Sequence, residues 1–134
     1  MRKATTMSGL GLMAAATVLA GCGGSGGAGQ SEDAAQQAPV ATIDVRETEF
    51  KLDPANPRVE KPGVVEFKVE NAGRTVHALE VEGPKGEVET EEVQPGKSTA
   101  LRADLTEPGE YTWYCPVGGH KDQGMEGKIT VAGG

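Results

Sequence analysis

The sequence predicts an all-β domain, a sandwich of two packed sheets built from about seven or eight short strands. Three observations predict it. From Ala41 onward, apolar and polar side chains alternate in short runs, the period of a half-buried strand. Three Pro-Gly pairs, Pro62-Gly63, Pro95-Gly96 and Pro108-Gly109, break those runs as turns. Beyond the N-terminal apolar segment, no run carries the apolar period of an amphipathic helix.

The chain has 134 residues, enough for one domain with accessories. Residues 1–21 read as an export signal. Arg2 and Lys3 make a positive start, and residues 7–20 are apolar or small, with Ser8 and Thr17 the only polar side chains. That run is short for a bilayer span and right for a signal-peptide core. It ends in Leu19-Ala20-Gly21-Cys22, which resembles the bacterial lipobox. The resemblance implies that the Cys22 thiol is lipidated and becomes the mature N-terminus. Residues 22–39 are then a tether. After Cys22 they hold no large apolar side chain, so burial cannot offset the entropy of ordering them. The Gly/Ser-linker scaling gives a root-mean-square span of about 20–25 Å.

Residues 40–134 are the globular domain. Ile43 and Val45 alternate with Thr42, Asp44 and Arg46, and Val65, Phe67 and Val69 with Glu66, Lys68 and Glu70. His77, Leu79 and Val81 fall on one face, with Glu80 and Glu82 on the other. Leu101, Ala103 and Leu105 repeat the pattern, Tyr111, Trp113 and Cys115 share a side, and Ile129 and Val131 close the chain. This parity turns His77 and Cys115 inward, each at a strand end, where the two meet at one end of the sandwich. A single bulge would reverse that.

Charge excludes one class of partner. The formal net charge is −7, and loss of Arg2 and Lys3 with the signal makes it −9, with 11 basic against 20 acidic side chains. Nucleic-acid binding needs a basic face, which this chain lacks. The two cysteines of an exported protein ordinarily suggest a disulfide. A lipidated Cys22 cannot pair, so Cys115 is a lone thiol outside the cytoplasm, and metal ligation gives it a purpose.

The spacing supplies the metal. Cys115, His120 and Met125 lie in one Gly- and Pro-rich loop, Cys-Pro-Val-Gly-Gly-His-Lys-Asp-Gln-Gly-Met, and His77 adds a second imidazole. A thiolate, two imidazoles and a weak thioether form the electron-transfer copper environment. Zinc takes Met poorly, calcium and magnesium want oxygen, and a dinuclear copper site needs a second loop cysteine. Each residue alone is commonplace in a β-domain. Together they are not: the chain has only two histidines, both in this set, and Met125 is the only Met outside the signal region.

These motifs carry a family resemblance. Asn71-Ala-Gly73-Arg-Thr-Val-His77, Tyr111-Thr-Trp-Tyr-Cys115 and Gly124-Met125-Glu-Gly127 resemble the second half of cupredoxins of the plastocyanin/azurin type, and residues 40–70 match only in β-pattern. The loop spacing is similar to that of rusticyanin and auracyanin. The resemblance implies an eight-strand Greek-key sandwich and one type 1 blue copper ion, cycling Cu(I)/Cu(II), on His77, Cys115, His120 and axial Met125. It implies an electron carrier rather than an enzyme, with His120 as the electron port. Partners are then transient redox proteins, such as c-type cytochromes or membrane oxidases and reductases, met by a monomer lipid-anchored on the extracytoplasmic face of a bacterial membrane. Glu126 and Asp122 near the loop read either as steering groups for a basic cytochrome or as a solvated face. Many members have Asn after the first His ligand, and Ala78 stands there instead. Ala78 and Val117 are expected to offer backbone N–H groups to the Cys115 sulfur, with Asn71 supporting the His77 segment. The competing reading is an extracytoplasmic copper storage or delivery protein, against which a complete four-ligand cage and the absence of Met- or His-rich tracts both argue.

Overall fold

The computed structural model describes residues 36–134. The signal segment, Cys22 and most of the tether lie outside the described residues. Among the described residues no helix is long and apolar enough to cross a membrane.

Among the described residues, nine strands form two sheets. In chain order they are β1 (Ala41–Thr48), β2 (Lys51–Asp53), β3 (Arg58–Val59), β4 (Gly63–Asn71), β5 (Glu80–Gly83), β6 (Gly86–Glu89), β7 (Ser98–Leu105), β8 (Gly109–Tyr114) and β9 (Glu126–Val131). One sheet runs β2-β1-β4-β7 and the other β3-β9-β8-β5-β6. The pairings β1–β4 and β3–β9 are parallel, and the rest are antiparallel. A sandwich is the outcome the alternation predicts. The strand count exceeds the expected eight because β2, β3 and β6 are two to four residues long, too short to display a period.

The inward side chains of both sheets make the core. Phe67 of β4 and Trp113 of β8 are fully buried, with ring centroids 5.6 Å apart, and Leu79, Leu101, Leu105 and Ile129 fill the space around them. The Trp113 indole N–H donates to the Ala55 carbonyl at 2.8 Å, which satisfies its one polar atom. Gly127 faces the same spot. A Cβ there would stand 1.9 Å from the Ala55 oxygen, so only glycine lets β9 pass beneath it.

Two expectations need correction. The strand expected to start at His77 starts at Glu80, and His77 joins the fold by an isolated bridge to Val93. Glu80, expected on a wet face, is only 7 % exposed, because the Tyr114 hydroxyl closes over its carboxylate and donates to Oε1.

Register places the site. Parallel pairing of β1 with β4 sets Glu47 beside Asn71, so both strands finish at the same end. Antiparallel pairing of β5 with β8 sets Glu80 opposite Tyr114. The residues just before β5 and just after β8 therefore meet at that end, and these are His77 and Cys115.

Candidate metal centre

Three segments present the predicted ligands. The first is residues 71–79. Asn71 is fully buried, and its side-chain amide donates to the carbonyls of Thr75 (2.8 Å) and Val93 (2.7 Å), while its Oδ1 accepts from the Gly73 N–H (2.9 Å). Two backbone bonds to Val93 then fix His77, N–H to O at 3.2 Å and O to N–H at 2.7 Å. Cys115, the first residue past β8, donates its N–H to the Met125 carbonyl at 3.0 Å. Met125 in turn donates to the His120 carbonyl at 3.1 Å, and His120 to that of Val117 at 2.9 Å. The loop thus closes on itself and carries Cys115, His120 and Met125 as one unit. A 3-10 turn, Lys121–Gln123, completes it.

The ligand atoms converge. His77 Nδ1 and His120 Nδ1 stand 3.3 Å apart, and Cys115 Sγ lies 3.4 Å from His120 Nδ1 and 3.9 Å from His77 Nδ1. A triangle with these sides has a point in its own plane about 2.1 Å from every corner, the length of a metal–imidazole bond. Two imidazole nitrogens and one thiol sulfur are the donor set of copper electron-transfer sites, in which a thioether serves as a weaker further ligand. His77, Cys115 and Met125 are fully buried, and His120 is partly exposed.

Electrostatics follow from burial. Burial holds the His77 imidazole below its usual range, reinforced by the neighbouring His120 ring and opposed by the Glu49 carboxylate. A neutral ring is the form that ligates. Burial pushes the Cys115 thiol up, and the backbone N–H groups of Ala78 and Val117 pull it back. The Ala78 N–H lies 3.5 Å from the sulfur. A cation is what converts such a buried thiol to the thiolate.

The structure brings His77, Cys115 and His120 together as a ligand cluster, with their donor atoms within 4.8 Å of one another. Met125 sits fully buried beside them through its backbone bonds. Cys22 lies outside the described residues. Sequence reasoning missed three neighbours. Glu47 is fully buried with both carboxylate oxygens unpartnered, Glu49 accepts from the Arg74 and Thr75 N–H groups, and the Phe50 ring meets the His120 ring at 5.2 Å. The parity of Ile43 and Val45 continues to Glu47 and was a usable signal. Nothing local marks Glu49 or Phe50.

Residues 12–131 match the family model described as a cupredoxin-like domain. Among solved structures, auracyanin B is similar at 19% identity with a TM-score of 0.65, covering 72% of this chain and 91% of that one. A dithionite-reduced auracyanin from the photosynthetic bacterium Roseiflexus castenholzii is similar at 18% identity with a TM-score of 0.63, covering 71% of this chain and 99% of that one.

Proposed function

The chain belongs to the cupredoxin-like family, and from that premise we propose that it is a type 1 blue copper protein that carries single electrons between redox partners. One observation carries the reading: two imidazole nitrogens and one thiol sulfur converge to within 3.9 Å of one another, close enough for one ion to bond all three. Met125, fully buried in the same loop, would supply a weaker thioether as the fourth ligand. When bound, copper supplies one-electron exchange between Cu(I) and Cu(II).

The chain's own residues supply the rest. Backbone bonds among Cys115, Val117, His120 and Met125 hold three ligands in a fixed loop. The sandwich packs the fourth, His77, against Val93, so ligand positions need not change with oxidation state. Leu79, Trp113 and the other buried apolar side chains exclude water. The Ala78 N–H at the sulfur favours its thiolate character and so lowers the potential. His120 is the one partly exposed ligand, and its neighbours Pro116, Val117, Gly118 and Gly119 are small or apolar. A partner reaches its outer edge with little desolvation, in the small transient contact that redox encounters use. Partners of this kind include c-type cytochromes and membrane oxidases or reductases. No substrate is transformed, so the chain is not an enzyme. The Cys22 lipid anchor and the 22–39 tether place the carrier on the extracytoplasmic face of a bacterial membrane.

The test is to add Cu(II) to the purified domain and record the visible spectrum through a reduction and reoxidation cycle. An intense thiolate-to-copper band that bleaches and returns is expected, as is its loss in Cys115→Ser. No band in the wild-type protein refutes the reading. Rapid loss of copper to a mild chelator would favour storage or delivery, which the burial of His77 and Cys115 opposes.

A further inference from the structure

The turn between β1 and β2 carries none of the four ligands, yet it lies against both imidazoles. His77 turns Nδ1 toward Cys115 and His120, which leaves Nε2 pointing into the protein, buried and without a hydrogen-bond partner. Glu49 is next to it. Its Oε1 accepts from the N–H groups of Arg74 and Thr75, which clasps the segment that leads to His77. Gly73 shows how close the two groups come. A Cβ built there would stand 2.7 Å from Glu49 Oε1 and 2.9 Å from His77 Nε2. The φ of Gly73 lies outside the left-handed region, so this glycine serves space rather than backbone twist.

The next residue touches the other ligand. The Phe50 ring meets the His120 ring edge-on, with centroids 5.2 Å apart and planes at 68°. Phe50 holds φ at +61°, and it is the only non-glycine residue with positive φ among the described residues. A bulky side chain in that region is costly and persists where its surroundings demand it. Here the left-handed turn is what directs Glu49 to one histidine and Phe50 to the other.

We propose that the β1–β2 turn is a two-residue brace for the copper histidines, in which Glu49, beside the His77 Nε2 that is unpartnered here, accepts its N–H when the metal is bound, and Phe50 fixes the His120 ring. The inference rests on the copper reading above. A ligating imidazole usually gives its second N–H to an acceptor, which sets the tautomer and ring plane, and loss of that acceptor costs about 10–100-fold in metal affinity. Both are positioning residues, since neither reaches the metal point.

The competing role for Glu49 is the loop clasp alone, and Glu49→Gln separates the two. Its one carbonyl oxygen still serves Arg74 and Thr75, but its NH2 cannot accept from His77. The brace predicts that this variant binds Cu(II) about tenfold or more weakly. With Cu(I) affinity unchanged, that tenfold raises the reduction potential by about 59 mV. Phe50→Leu keeps apolar bulk without the ring edge. Copper release to a chelator is expected to be about three- to tenfold faster, the worth of one aromatic contact. Thermal unfolding of the copper-free proteins reports the clasp independently. A blue Glu49→Gln protein with wild-type potential and affinity, or Phe50→Leu with wild-type release, overturns the brace alone. A wild-type protein without the blue band overturns the copper reading and the brace with it.

Discussion

Glu47 makes the stability of this protein fall as pH rises through the weakly acidic range. It lies on β1 in phase with Val45, fully buried, with no donor for either carboxylate oxygen. Burial pushes its carboxyl up from an ordinary 4.5 to about 7. The folded state therefore keeps the proton while the unfolded chain releases it above pH 4.5. Between pH 4.5 and 7 the unfolded state binds fewer protons, so unfolding becomes easier with each added pH unit. Above pH 7 both states are ionised and the penalty levels off. At 1.36 kcal/mol per unit, the shift amounts to about 3 kcal/mol. Glu47→Gln keeps the shape and deletes the titration. Urea unfolding of both proteins, in the same copper state at pH 4, 5, 6, 7 and 8, gives the difference in unfolding free energy. That difference should move by about 3 kcal/mol in favour of the variant across the series, with most of the change between pH 4.5 and 7. The pH-independent cost of burying an amide offsets the whole curve and leaves its slope intact, and other titrating groups cancel. A flat difference, or one of opposite sign, refutes the argument.

Gly73→Ala places a methyl where Glu49 Oε1 and His77 Nε2 now sit. It should cost about 1–3 kcal/mol in urea unfolding and weaken copper binding in a competition titration. Asn71→Ala strands the carbonyls of Thr75 and Val93, at about 1–3 kcal/mol for each acceptor left unsatisfied in the interior, and differential scanning calorimetry should show the lower melting temperature. Lys128→Ala breaks the 2.9 Å pair with Glu110 between two exposed side chains. Chemical denaturation should place it within about 0.5 kcal/mol of wild type, since exposed pairs contribute little.

The ligand set was legible because its members lie close in the chain. Cys115, His120 and Met125 share one loop, and the scarcity of histidine left His77 as the only candidate for the second imidazole. The long strands were legible for a similar reason. β4, β7 and β8 each run six residues or more with one buried face, and two-residue alternation is visible at that length. Strands β2, β3 and β6, two to four residues long, left no such trace. Glu80 was misread because alternation reports which way a side chain points and not what lies on top of it. Tyr114 covers it from the neighbouring strand.

The sequence by itself thus determined the fold class, the chemistry of the donor set and the one-metal limit, all of which depend on local period, residue type and short spacing. Tertiary structure alone decided the rest. The parallel pairing of β1 with β4 brings the β1–β2 turn to the ligand end, and the register of β5 on β8 sets His77 beside Cys115. Glu49 and Phe50 stand 28 and 70 residues from the histidines they meet, a separation no local pattern encodes. Burial of Glu47 likewise becomes a penalty only once a second sheet closes over its face. Distance in space and the removal of water are properties of the assembled sandwich, and these turn commonplace side chains into a site with a fixed geometry.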